Sequence, residues 1–467
     1  MKISIFGTKI LFLIVLILSG TLAGYQLASK KHHLSLTNEE RHSIKNFPKH
    51  TSFPLSNFDI KDNIEKPSIT VDDSGKIFVI WASQTSSSEK KLFLAVSENN
   101  GESFKPPREI AHSEIFKSIS ELKGKTIARE IRMTPHLAHE NGSLFLGWTE
   151  SLPGNSGVRM IVTTSDDAGK SFRKPLVVHQ GEKARATFTS LSVGKDKTIA
   201  CSWLDNREKV QIPYVSIKFP NQENFSPEEG IIAGQLDKGV CPCCPTACLI
   251  DCKGTVFVAF RNIVDGYRDF WIAKKTIDQP RFDKPVPVIP PTWKFNGCPH
   301  DGASMLIQDD KLHIVWMDAR NGSQRCYHAW ANTADLKFTS SELNSIAQGS
   351  QGNAKIIADS NGNIYAAWEE TKENTVPQGD NHKNHDNPFK PGLSRNIMLA
   401  SFSKSNMKFS KAIPLINKPD VFQTRPSVAV SKSGQVFVCW NELSEIGKSI
   451  VITSFKNNAL LVNGEKE

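Results

Sequence analysis

Several things are scarce in this chain. Of 467 residues only five are Tyr and seven are Met. Lys and Arg give a net charge of +9, yet no basic run extends beyond a few residues, which excludes the concentrated electrostatic footprint of a nucleic-acid binder. Beyond the N-terminal segment no apolar run reaches the length of a membrane span. Long helical periodicity is missing from the same region, which argues against a helical bundle. No Cys stands directly after the N-terminal apolar run, so no lipobox is expected there.

What is present begins with "MKISIFGTKILFLIVLILSGTLAG". Lys2 and Lys9 flank and precede an apolar core of about a dozen residues, the length of a signal-peptide core rather than a full span. Residues 1–24 are therefore expected to be a signal peptide cleaved near Ala23 or, alternatively, an N-terminal anchor. Residues 25–50 are polar and read as a linker, and 51–467 as the folded domain. The expected location is periplasmic or extracellular, with membrane contact only through an uncleaved N-terminal segment. An oxidising compartment permits disulfides, and nine Cys leave at least one unpaired.

A short strand recurs about every sixty residues, a period typical of propeller and solenoid arrays. A turn leads into alternating apolar residues that end in an aromatic: "SGKIFVIW" at Trp81, "NGSLFLGW" at Trp148, "KDKTIACSW" at Trp203, "KGTVFVAF" at Phe260, "DDKLHIVW" at Trp316, "NGNIYAAW" at Trp368 and "SGQVFVCW" at Trp440. Each copy follows one apolar strand and precedes another. A sheet of three or four short antiparallel strands cannot bury both faces alone, but several packed radially can. The fold class is thus all-β, a propeller of seven (alternatively six) four-stranded antiparallel blades. The stretch "TSFPLSNFDI" near Thr51 is expected to add the last outer strand. Ile115, Ile119 and Leu122 fall at helical spacing and predict one short helix within 112–130.

"SENNGESF" (Ser97 to Phe104) and "SDDAGKSF" (Ser165 to Phe172) follow two of the third strands. Asn99 or Asp167 can accept backbone N–H bonds there, Gly101 or Gly169 can take a positive φ, and the Phe can plug the blade. These stretches resemble the Asp-box (BNR) repeats of the sialidase (neuraminidase) superfamily. The paired "CPCCP" and "GCPHDG" look like a divergent exported branch of such propellers.

Strand direction alternates within a blade, so the start of each first strand and the end of each second strand share one face, opposite the Asp boxes. That face collects Lys66, Arg132, Arg185, Cys241 to Cys244, Cys298 to Asp301, Asn353 and Arg425 from strand starts. From strand ends it collects Glu150, Asp205, Arg207, Arg261, Asp318, Arg320, Glu369, Glu370 and Glu442. Arginines gathered near an axis suit an anionic or polyhydroxylated ligand, because guanidinium grips carboxylate in bidentate fashion; Arg320 belongs to this set. The long polar stretch from Glu369 to Ser394, with His382, His385 and Asp386, falls on the same face as a lid or solvated loop.

The sialidase resemblance implies more specific roles. It makes Arg132, Arg185 and Arg425 candidates for a carboxylate clamp, Asp205 or Asp318 the acid/base, and Tyr267 in "DGYRDF" the nucleophile. The family's Arg-Ile-Pro tripeptide is absent, and "EKPSI" with Lys66 stands in its place. The implied function is hydrolysis or binding of an acidic glycan at an axial pocket, of the exo-sialidase type.

The cysteines offer a different function. Cys201 and Cys439 lie inside strands beside Trp203 and Trp440 and read as small buried hydrophobes. Cys241, Cys243 and Cys244 precede one first strand, and Cys298 with His300 precedes the next. Three readings stand: a disulfide between the two blades, a soft-metal site of Cys243, Cys244, Cys298 and His300 suiting Cu(I) or Zn(II), or a reactive thiol. A non-catalytic interaction scaffold is the remaining alternative.

Overall fold

The computed structural model describes residues 51–54, 64, 66–122, 125–181, 184–207, 209–232, 239–344, 349–371, 394–418, 420–445 and 447–456. The expected signal peptide (1–24), the linker (25–50) and the loop carrying His382, His385 and Asp386 lie outside the described residues.

The described chain is built of strands, with one short 3-10 turn at Pro153–Asn155. Blade 1 comprises Ser68–Val71, Ile77–Gln84, Glu89–Ser97 and Arg108–Glu114, hydrogen-bonded in that order. The first two strands of the following blades are His136–Glu140 and Ser143–Ser151 in blade 2, and Thr187–Val193 and Ile199–Asp205 in blade 3. They are Ala247–Ile250 and Val256–Arg261 in blade 4, and Ser304–Gln308 and Lys311–Asp318 in blade 5. Each of these blades is completed by two further antiparallel strands. Blade 6 starts with Gln351–Ala358 and Ile364–Thr371, and blade 7 with Phe422–Val430 and Gln435–Ser444. A parallel bridge from Arg395 to Phe422 joins blades 6 and 7 into one continuous sheet.

Among the described residues, these sheets form a ring. The first strand of each blade touches that of the next, and the first strand of blade 7 touches that of blade 1. The chain is a β-propeller. Thr51–Pro54 pairs with Gly447–Lys456, Thr51 opposite Ile452, so N-terminal residues supply the outer strand of the C-terminal blade. That pairing fastens the two ends of the ring.

Sequence pattern explains the packing. The second strands are buried on both faces, as at Ile77–Gln84 and Ile199–Asp205, because each is sandwiched between neighbouring blades. Consecutive blades share an apolar core: Trp81 packs with Phe437 across blades 1 and 7, Trp316 with Phe257 across 4 and 5, and Trp440 with Tyr365 across 6 and 7. Trp81, Trp203, Trp316, Trp368 and Trp440 are fully buried. At about 25 cal/mol per Å² of apolar surface removed from water, each of these rings contributes about 4–6 kcal/mol to the favourable side of folding.

The two turns after third strands are closed by their own side chains. Ser171 N–H donates to Asp167 at 2.9 Å, and Gly169, at φ +77°, donates to Ser165 Oγ at 2.8 Å. Ser103 N–H likewise donates to Asn99 Oδ1 at 3.0 Å. Hydrogen bonding to the charged form holds the Asp167 carboxyl well below its ordinary range.

The helix expected within 112–130 is not formed. Lys117–Leu122 and Lys125–Glu130 pair as an antiparallel hairpin, with Leu122 opposite Lys125. Alternation in "KSISEL" and "KTIARE", separated by two residues of which one is Gly, outweighs the three apolar positions at helical spacing.

Candidate functional site

Carboxylates at the ends of the second strands act as repeated brackets. In blade 3 the Trp203 indole N–H donates to Asp205 Oδ2 at 3.2 Å, and Arg207 Nη2 reaches the same oxygen at 2.7 Å. Asp205 also accepts from the backbone N–H groups of Arg185 and Arg207. In blade 5 the Trp316 indole donates to Asp318 Oδ2 at 2.9 Å and Arg320 closes on both oxygens. Trp148 with Glu150 and Trp368 with Glu370 repeat the arrangement. Asp205 and Asp318 are buried and their lone pairs are taken up by the chain's own donors. The arrangement recurs in blades 2, 3, 5 and 6 and reads as a structural bracket whose carboxylates are already engaged by the chain's own donors. Arg320, expected from sequence to bind ligand, is committed to Asp318, and its guanidinium lies 3.8 Å from the Tyr327 ring centre.

Tyr267 lies between the second and third strands of blade 4, in bridge contact with Val264 and Lys294. Its hydroxyl makes no hydrogen bond among the described residues, and Lys294 Nζ lies 5.8 Å from its ring centre. Arg132 and Arg185 are exposed, and their guanidiniums are likewise without hydrogen bond or ion pair among the described residues. Arg425 is half-buried at φ +57°, and its N–H donates to Glu369 Oε1 at 2.6 Å.

The sulfur cluster is where the sequence candidates converge. Pro242 and Pro245 lack the N–H a strand would need, so the Cys-Pro-Cys-Cys-Pro run folds into turns ahead of Ala247–Ile250. Cys241 N–H donates to the Arg261 carbonyl at 3.0 Å, tying the run to the end of the second strand. Cys243 stands four residues before Ala247, and His300 four before Ser304. Equivalent placement in adjacent blades brings them together. Cys241, Cys243 and Cys244 form one trio of donors and Cys243, Cys298 and His300 another, with the donor atoms of each trio within 4.8 Å of one another.

Cys241 Sγ lies 3.6 Å from Cys243 Sγ and 3.8 Å from Cys244 Sγ. Two sulfurs on one ion, each at about 2.3 Å, stand roughly 3.8–4.0 Å apart, so the spacing fits shared coordination. None of the nine cysteines forms a disulfide, and the blade-to-blade bridge allowed by the sequence is not made. Cys201 and Cys439 are buried in the inter-blade cores, as their strand positions required.

Glycine sets the approach of the two blades. A Cβ on Gly302 would meet Pro245 Cβ at 3.0 Å and the Pro245 carbonyl oxygen at 3.1 Å. A side chain at 302 would crowd Pro245 and force the two segments apart by a few tenths of an ångström. His300 itself adopts φ +55°, a left-handed conformation that aims its ring at the sulfurs and costs energy in a non-glycine residue.

Cations face the sulfurs. Arg268 Nη1 donates to Cys241 Sγ at 3.0 Å. Arg261 is fully buried, donates to the carbonyls of Arg268 (2.9 Å) and Met317 (2.7 Å), and stacks on Phe270 at 4.4 Å. The Cys243 and Cys244 contacts, with help from Arg261 and Arg268, hold the Cys241 thiol far below its ordinary pKa, whereas burial and the Cys241 contact push Cys244 up to about 12. Phe188 and Ile263 pack against the trio of blade 4 and exclude water. Asp301, next to His300, accepts from Asn353 N–H at 2.6 Å and buries its second oxygen without a partner, and burial raises its pKa. Cys241 as a donor, Arg261 and Arg268 as its counter-charges and Gly302 as the spacer are the parts sequence reasoning did not assign.

No family model matches the chain and no curated protein matches it. Among solved structures it is similar to the NanB sialidase of Streptococcus pneumoniae, at 9% identity and TM-score 0.45 over 89% of this chain and 98% of that one. It is similar to the alpha-L-arabinanase of Penicillium chrysogenum, complexed with arabinobiose, at 11% identity and TM-score 0.47 over 90% and 99%. A protein of unknown function from Dyadobacter fermentans is 15% identical at TM-score 0.44 over 69% and 93%. Sialidase and arabinanase propellers are thus among its structural neighbours, at low identity.

Proposed function

We propose that this chain is an exported propeller that binds a soft metal ion, Cu(I) or Zn(II), through the thiolates of Cys241, Cys243, Cys244 and Cys298 and the imidazole of His300. The observation that carries it is the gathering of these donors from two adjacent blades at coordination spacing, with His300 held in a left-handed backbone conformation beside the sulfurs. Thiolate and imidazole donors select soft and borderline ions over Mg²⁺ or Ca²⁺. The Arg268 contact to Cys241 and the buried Arg261 stabilise anionic sulfur, the form that ligates. The N-terminal apolar segment supports delivery outside the cytosol, where the site would receive or hold its ion.

Elemental analysis of protein purified from its native compartment tests the reading. Wild type should carry Cu or Zn that Cys243→Ser and His300→Ala lose in whole or part. Wild-type content no higher than that of Cys243→Ser sinks the proposal. Thiol counting in denaturant with and without a chelator is an independent check, since bound thiolates are masked.

A second reading, binding of an acidic glycan, is favoured by one observation: Arg132 and Arg185, ahead of the first strands of blades 2 and 3, present to solvent guanidiniums that have no partner among the described residues. The measurement is calorimetric titration with sialic acid, alongside turnover of a fluorogenic sialoside. Loss of binding in Arg132→Ala and Arg185→Ala supports it, and absence of both binding and turnover in wild type ends it.

A further inference from the structure

The donor set is larger than one ion needs. Resting on the metal-binding reading above, the geometry points to a two-ion site in which the Cys243 sulfur bridges two Cu(I) ions. One ion is held by Cys241, Cys243 and Cys244, the other by Cys243, Cys298 and His300.

The first argument is the grouping of the donors. They fall into two trios that share Cys243 rather than into one quartet. A closed structural Zn(II) site takes four protein donors around one point, which neither trio supplies by itself. Three donors around each of two points is what a low-coordinate, thiolate-loving Cu(I) ion accepts. A thiolate sulfur has lone pairs enough to serve two such ions, and Cys243 is the residue common to both trios.

Burial separates the two positions. Cys241, Cys243 and Cys244 are all buried, packed against Phe188 and Ile263. The second trio runs outward from buried Cys243 through half-buried Cys298 to exposed His300. The inner ion is therefore enclosed and all-sulfur, the outer one reachable from solvent and partly nitrogen-bound. Ions enter past His300, and the outer position exchanges first.

The charges balance as well. With both ions bound all four sulfurs are thiolates, and those still protonated in the ion-free protein release their protons to solvent. Two Cu(I) ions bring the cluster to a net 2−, and the Arg261 and Arg268 guanidiniums beside Cys241 supply 2+. Copper enters and stays as Cu(I), so no electron is transferred.

The test uses the full chain, loaded anaerobically with excess Cu(I) as its acetonitrile complex, desalted and counted by elemental analysis per chain. Wild type is expected to retain two ions. His300→Ala and Cys298→Ser should retain one, Cys244→Ser one, and Cys243→Ser none. Circular dichroism of the exposed-site variant His300→Ala guards against misreading a folding defect, since that side chain is solvent-facing. X-ray absorption at the copper edge should show a short Cu–Cu vector in wild type that His300→Ala lacks. One ion in wild type overturns the two-ion site while the metal-binding reading survives. No retained ion overturns both. Two ions still present in His300→Ala overturn the assignment of the outer trio.

Discussion

The Arg268 guanidinium lies 3.0 Å from the Cys241 sulfur and reaches it across 27 residues of sequence, from the far side of the loop that follows the second strand of blade 4. A hydrogen bond from a charged donor is worth about 1.5–3 kcal/mol. Arg268→Gln should therefore weaken retention of an ion at Cys241 by roughly ten- to a hundredfold, at about 1.4 kcal/mol per tenfold. Competition against a chromophoric Cu(I) chelator measures it. Affinity equal to wild type would show that the guanidinium does nothing for the bound state.

Gly302 is predicted to be as important as a ligand, although it carries no donor. In Gly302→Ala the new methyl sits 3.0 Å from Pro245 Cβ and 3.1 Å from its carbonyl oxygen, so the contact between the two blades must open by a few tenths of an ångström. Overpacking of this kind costs about 1–3 kcal/mol. The variant should melt a few degrees lower, and its outer ion should be lost before its inner one, because the strain falls between Cys243 and Cys298. Thermal denaturation and metal counting on the same sample distinguish this from global unfolding.

The ring is legible in the sequence because its core residue repeats: a Trp or Phe stands in the second half of every second strand, and Trp203, Trp316 and Trp440 are each fully buried. Strand alternation also suffices to bring Cys243 and His300 to one face. It does not reveal which carboxylates are already engaged, although Trp-x-Asp at 203–205 and 316–318 and Trp-x-Glu at 148–150 and 368–370 are open to view. An indole two residues before an acid, on a strand whose other neighbour is an Arg, marks a bracket. Cys241 stands in Cys-x-x-Cys spacing with Cys244, a signal that places it among the donors. Arg268 leaves no such trace, because its contact depends on how one loop folds back. The hairpin at 117–130 imitates a helix in sequence because three apolar residues satisfy one period while the whole segment satisfies another.

A pair of buried histidines predicts acid sensitivity. His313 Nδ1 and His328 Nε2 are 3.0 Å apart, enclosed by Phe402 and Phe409. Burial pushes His313 down to about 4 and His328 to about 3. In the unfolded chain each titrates near 6.5. Below that pH the unfolded state binds protons the folded state refuses, so stability is full above about 6.5 and declines as pH falls toward 4, by at most about 1.4 kcal/mol per pH unit for each ring. Urea unfolding from pH 7 to 4 should show this slope in wild type and a shallower one in the His313→Gln/His328→Gln double variant. Equal slopes would mean that other groups carry the acid limb.

The brackets make a prediction opposite to that of an acid/base residue. Asp205 is buried and bound by Trp203, Arg207 and two backbone N–H groups, while Arg207 also holds Glu228 at 2.6 Å. Without Asp205 the Arg207 guanidinium keeps only Glu228, and the Trp203 indole and the N–H groups of Arg185 and Arg207 lose their acceptor, at about 1–3 kcal/mol for a buried donor left unsatisfied. Asp205→Ala should thus lower the denaturation midpoint substantially and redden the Trp203 fluorescence. Because blade 3 contributes no donor to the sulfur cluster, metal content should remain at the wild-type level in the folded fraction. A variant of normal stability that had lost a ligand-dependent activity would instead return Asp205 to the chemistry.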